Sequence, residues 1–112
     1  MSKRKTFGIF LSIDDRIDVD LEFVEQKGRR RRLRRFAITY SARIQDRWWE
    51  VVRYDNIHGF LHQQRFWRSA KPEGLPSEEH RPVEALVEPC RKDLRENWHR
   101  YRRLREKSLR ES

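Results

Sequence analysis

The chain has 112 residues, 40% of them charged, and a mean hydropathy of −1.09, which leaves room for one compact domain with a thin core. Aromatic residues make up 12% and include four tryptophans, which excludes a disordered chain, and the single cysteine, Cys90, excludes an intramolecular disulfide. Lys and Arg exceed Asp and Glu by nine, no run approaches membrane-spanning length, and the basic start is followed by too short an apolar stretch for a signal peptide; a cytoplasmic protein that meets polyanions and no membrane is expected.

In chain order, Phe7, Ile9, Leu11 and Ile13 suggest a first strand closed by Asp14-Asp15-Arg16. Ile17, Val19, Leu21 and Phe23 then alternate with Asp18, Asp20 and Glu22, the period of two that marks a half-buried strand. Phe36, Ile38, Tyr40, Ala42 and Ile44 repeat the pattern beyond a turn with Gly28 at its tip. The short Gln45-Asp46 connection leads into residues 48–54, dense in strand formers, and residues 59–67 read as one more strand after a turn at Asp55-Asn56. Short connections make neighbouring strands antiparallel, so the expected sheet is a meander of four or five strands.

Two prolines and a glycine in residues 71–77 end the sheet, and the period then changes. Val83, Leu86, Val87, Cys90, Leu94, Asn97, Trp98, Tyr101 and Leu104 fall three or four apart, one stripe of a helix. Pro82 suits its first turn, whereas Pro89 removes a backbone bond and predicts a kink or a split. The fold class is therefore α+β: a single domain over 1–112, with sheet at about 6–68, a linker at 69–81 and helix at 82–110 packed on one face of the sheet.

The positive charge is clustered. Residues 27–35 hold seven cations and no acid, and residues 91–110 hold nine cations against Asp93, Glu96 and Glu106. Clustered cations release counterions when they meet phosphates, so RNA or another nucleic acid is the expected partner, with Arg29, Arg30, Arg31, Arg32, Arg35, Arg100 and Arg103 as its contacts. Trp48, Trp49, Phe66 and Trp67 alternate with Arg47, Arg53, Arg65 and Arg68. An exposed aromatic among them would stack on bases; one of the four tryptophans is expected to be exposed.

The densest group of chemically capable side chains is Arg53-Tyr54-Asp55-Asn56-Ile57-His58-Gly59-Phe60-Leu61-His62. Three roles fit it. Asp55, His58 and His62 would hold a metal if the histidines stood ~6 Å apart on a helix, but a strand separates them by ~13 Å, which counts against a metal site. His58 and His62 would serve as acid and base on an RNA phosphodiester, with Asp55 orienting a histidine and Arg53 offsetting phosphate charge. Alternatively the segment is structural, with Asp55 and Asn56 in a turn, Gly59 at positive φ and the histidines beside the core. His80 lies in the linker, His99 lies off the helical stripe, and Cys90 reads as a small buried residue. No cofactor is expected.

The pattern Arg53-Tyr54-Asp55-x-x-His58-Gly59-x-x-His62, followed by Asp93-Leu94-x-x-Asn97-Trp98-x-x-Tyr101-Arg102, resembles a family of small uncharacterised prokaryotic domains, and its first part is similar to TumE-type toxins of toxin–antitoxin modules. The chain departs from that family in Pro89, in residues 29–35, and in Gln63-Gln64-Arg65, where the family often has an acidic or glycine residue. The resemblance implies an RNA-directed, toxin-like component acting through residues 53–62, with Tyr54, Gly59, Asn97, Trp98, Tyr101 and Arg102 in support; joined to the acid–base reading of the histidines, it makes a metal-independent ribonuclease the expectation. The alternatives are a non-enzymatic nucleic-acid-binding module and an interaction subunit whose basic surface meets a small acidic, antitoxin-like protein.

Overall fold

A computed structural model describes residues 2–25, 28, 31–68, 71–75 and 82–112. Six antiparallel strands follow one another across a single sheet: β1 (Ser2–Ser12), β2 (Asp15–Val24), β3 (Arg32–Ile44), β4 (Arg47–Asp55), β5 (His62–Arg65) and β6 (Glu73–Gly74). The helix α1 (Val83–Glu111) then lies against β3 and β4. Gln45 and Asp46 both take positive φ, 53° and 63°, which gives the β3–β4 hairpin a two-residue turn matched to strand twist.

Register follows from the alternation. Ile17 faces Tyr40, Val19 faces Ile38 and Leu21 faces Phe36, while Tyr54 and Val52 continue the rows on β4. These side chains meet Leu86, Cys90, Leu94 and Tyr101 of the helix in one core. A bulge on β4 opposite Tyr40 and Ser41 lets both Val51 and Val52 be buried, where strict alternation would expose one of them. Among the described residues no element covers the opposite face of the sheet, which carries Arg4, Thr6, Gly8, Asp18, Asp20, Ala37, Thr39, Arg53 and Asp55.

The meander and the helix on one face are as the sequence predicts, and the departures have local causes. β1 reaches back to Ser2 and β3 starts at Arg32, inside the arginine run, because long basic side chains stand at the margin of a strand without needing burial. β6 is a two-residue strand in the expected linker, where Glu73 pairs with Gln63 before Pro76. Residues 59–61 do not extend β5; they belong to the turn that Gly59 makes at φ 97°. Pro89 lies inside one helix assigned from Val83 to Glu111, so the helix is not split. Pro89 and Ala85 are both exposed, so the carbonyl that loses its donor is open to water. No helix among the described residues is long and apolar enough to cross a membrane.

Candidate nucleic-acid interface

Successive residues of a strand point to opposite faces, and this divides the two sequence motifs. Tyr54 points to the helix side, where its hydroxyl donates to Asp93 Oδ2 at 2.6 Å and accepts from Gln63 Nε2 at 2.7 Å. Asp93 also accepts from the Tyr101 hydroxyl at 2.8 Å and from Asn97 Nδ2 at 2.9 Å. Trp67 stacks on Tyr101 at 5.3 Å, and Trp98 meets Tyr40 edge-on at 6.3 Å. Arg102 donates to Asp15 Oδ1 at 2.7 Å, and Asp15, 3% exposed, also receives the Tyr40 hydroxyl at 2.6 Å. Burial first, and the hydrogen bond to a carboxylate second, push the Tyr40, Tyr54 and Tyr101 phenols upward. Trp98, Tyr101 and Arg102 therefore fasten the helix to the sheet, Asn97 steadies Asp93 from within the helix, and all four lie across the sheet from the face that carries Arg53, Asp55 and His62. Asp93, the hub, opens the second motif in sequence, but nothing there marks it as the shared acceptor of two tyrosines.

Arg53, Asp55 and His62 lie on the uncovered face, with His62 directly opposite Asp55 and Gln64 opposite Arg53. Arg53 Nε donates to Asp55 Oδ2 at 3.0 Å, and the Ile57 N–H donates to Oδ1 at 3.2 Å. Asp55 is thus held by Arg53 and a backbone amide, and not by a histidine as the acid–base reading expected. Arg53 also lines a groove of about 420 Å³ with Arg4, Asp20, Glu22, Arg35, Ala37 and Ile57. A second hollow of about 410 Å³ shares Asp20, Ala37 and Arg53 with it and runs on over Gly8 and Thr39. The floor is formed by small side chains at Ala37 and Thr39, while the Arg16 guanidinium lies over Gly8. Arg4 is paired with Asp20, and that bond holds the Asp20 carboxyl below its ordinary value. Arg4 and Asp20 were not legible as site residues, because only the register brings them beside Arg53.

His58 and His62 come together. Since residues 57–60 turn instead of extending, the rings lie 5.5 Å apart in an edge-on arrangement, which corrects the separation of a continuous strand. His62 Nδ1 sits 2.9 Å from the Phe60 carbonyl oxygen, and Phe60 packs 4.2 Å from the same ring. A carbonyl only accepts, so the neutral ring carries its hydrogen on Nδ1 and its lone pair on Nε2. Asn56 fixes the turn. Its Oδ1 accepts the Phe36 N–H at 2.8 Å and its Nδ2 donates to the Arg34 carbonyl at 3.1 Å, continuing the β3–β4 ladder past the end of β4. Among the described residues no three His, Cys, Asp or Glu side chains cluster as metal ligands would.

The histidine turn therefore stands at the β2–β3 end of the sheet. The described cations there are Lys3, Arg4, Arg31, Arg32, Arg34 and Arg35, against Asp20, Glu22 and Glu25. Arg31 pairs with Glu25 at 3.4 Å, while Arg32, Arg34 and Arg35 have no acid partner among the described residues. Arg29, Arg30 and Lys27 lie outside the described residues, as does His80. Toward the other end Arg16 pairs with Asp18 and Arg43 with Asp14, and Arg47 lies over the Trp49 ring. There Phe10 is 63% exposed, and Trp48, 47% exposed, is the open one of the four tryptophans. Arg100 and Arg103 are exposed on the helix, across the sheet from Arg35 and Arg53. His99 stacks on Trp98 at 3.6 Å, and Cys90 is buried.

A six-stranded antiparallel meander with one long helix on its inner face, and an arginine-lined groove on the outer one, defines this as an α+β domain with an open sheet surface. The chain belongs to the family described as Domain of unknown function (DUF7718), whose model matches residues 1–111. No curated protein and no solved structure matches it.

Proposed function

We propose that the protein acts on RNA at the groove of the uncovered face, with residues 57–62 as its reactive rim. The observation that carries this reading is the approach of the His58 and His62 rings to 5.5 Å beside the Arg53–Asp55 pair, at the basic end of the sheet. Nε2 of neutral His62 removes the proton from a ribose 2′-hydroxyl, and that oxygen attacks the adjacent phosphorus. The bond from phosphorus to the 5′-oxygen breaks, and the leaving oxygen takes a proton from the His58 imidazolium. The products are a 2′,3′-cyclic phosphate and a 5′-hydroxyl. Arg35 and the free nitrogens of Arg53 offset the charge on the phosphorane. The similarity of Arg53-Tyr54-Asp55 and His58 to TumE-type toxins supports the same reading. The unmatched cations also suit a small acidic partner protein, which would compete with RNA for this end.

A second reading, binding without cleavage, is favoured by the exposed Trp48 and Phe10 on the same face, which offer stacking surfaces to a single strand. Incubating the protein with total RNA, with and without EDTA, separates the two. Cleavage that persists in EDTA and disappears in a His58→Ala/His62→Ala variant supports the first. Retention of RNA without cleavage, weakened by Arg35→Ala and by Trp48→Ala, supports the second. An absence of both binding and cleavage removes RNA from the account.

A further inference from the structure

The sheet has two edges of very different kinds. β6 contributes only two residues, too short to template another strand, whereas β1 is eleven residues long and, among the described residues, has β2 as its only neighbour. Long edges are usually blunted by charge, proline or distortion. Lys3, Arg4 and Lys5 protect the first half of β1. The second half, from Thr6 to Ser12, has neither charge nor proline; its one distortion is a register shift against β2 between Phe10 and Ser12, at the far end, so Thr6 to Phe10 stay regular, and Phe10 and Ile13 there are 63% and 80% exposed.

We infer that β1 is a self-pairing edge, which joins two copies of this chain into one continuous sheet about a two-fold axis. Charge is ordered along the strand, with the cations at Lys3, Arg4 and Lys5 and none from Thr6 to Ser12. Full overlap of two antiparallel copies of Ser2–Ser12 puts Phe7 on the axis, because it is the middle residue. Lys3 then faces Leu11, Arg4 faces Phe10 and Lys5 faces Ile9 of the second copy. Every cation of one strand meets the apolar half of the other, and no like charges stand opposite each other. Parallel pairing in register would stack all three cations on themselves. On the uncovered face the exposed Phe10 ring would lie against the Arg4 guanidinium, which Asp20 already holds in place. The pairing also satisfies backbone N–H and C=O groups that the free edge leaves to water. Since the hollow over Gly8 and Thr6 reaches β1, the two outer grooves would meet across the axis.

Sedimentation velocity over a wide concentration range tests this. The expected result is a monomer–dimer equilibrium that added salt tightens, since each copy carries a charge of +9 and salt screens their repulsion. Phe10→Lys would set a cation against Arg4 of the second copy and Phe10→Glu an anion. The two-fold counts that pair twice, so the lysine variant should dimerise about tenfold more weakly than the glutamate variant. Both substitutions are at an exposed position, and matching circular dichroism spectra would establish that both fold. A chain that stays monomeric throughout overturns the inference and leaves the edge to a strand of another protein. A dimer that both variants weaken equally, or not at all, also overturns it.

Discussion

Tyr54 donates its hydroxyl hydrogen to Asp93 across 2.6 Å, while its sequence neighbour Arg53 looks out from the other face of the sheet toward the groove. One dipeptide thus fastens the helix on one side and lines the candidate site on the other. Tyr54→Phe keeps the ring and removes the hydrogen bond to the Asp93 carboxylate together with the one from Gln63, at an expected cost of at least about 1.5–3 kcal/mol. Asp93→Ala should cost more, because Tyr54 and Tyr101 both lose their acceptor, while Asn97 keeps only its bond to the residue 93 carbonyl. Urea unfolding of the two variants checks the order, and RNA cleavage by folded Tyr54→Phe should be unchanged.

All three tyrosines are held protonated by burial and by carboxylate partners. Because the folded values lie above the ordinary 10.0, this contribution to stability is fully present below pH 10 and is lost as pH rises past it. The expected titration shows no gradual tyrosinate absorbance around pH 10. The band should instead rise together with loss of the folded circular dichroism signal. Ionisation of any tyrosine in the folded protein at its ordinary value would contradict the buried network.

Much of this fold can be read from alternation. Residues 17–23 and 36–44 give two strands, their register and the core face, and the stripe from Leu86 to Tyr101 gives the helix and its buried side. What sequence does not carry is how far a strand continues once its side chains are long cations, hence the missed starts of β1 and β3. Sequence marks the turn, through Asp55-Asn56 and the positive φ of Gly59, but not how far that turn runs, nor that the Asn56 side chain completes a ladder with residues twenty positions away. That turn decides the candidate site. Arg53, Asp55, His58 and His62 were legible because they are neighbours in sequence. Asn97 and Tyr101 join them through the second motif alone, and the helix that carries them lies on the side Tyr54 points to, opposite Arg53.

Arg102 binds four oxygens: Asp15 Oδ1, the Asp14 and Arg43 carbonyls, and Glu106 Oε1. Arg102→Ala would leave the buried Asp15 carboxylate without its cation, and a loss of about 3–5 kcal/mol is expected from thermal or urea unfolding. Arg102→Lys should recover only part of it, since an ammonium has no planar fork to span these acceptors.

Asn56→Ala removes no reacting group, yet it orphans the buried Phe36 N–H, at a cost of about 1–3 kcal/mol, and frees the turn that carries His58. The folded variant should bind RNA through Arg35 as before but cleave it more slowly. Equal slowing of binding and cleavage would mean that Asn56 acts only through general stability.

The most direct test uses a defined single-stranded oligoribonucleotide and mass spectrometry of its fragments, beside a copy with 2′-deoxyribose at the cleaved position. The account predicts fragments ending in a 2′,3′-cyclic phosphate and a 5′-hydroxyl, no cut at the deoxy position, and no cut by the His58→Ala/His62→Ala variant. Fragments ending in a 5′-phosphate, or cleavage that survives loss of both histidines, would contradict it.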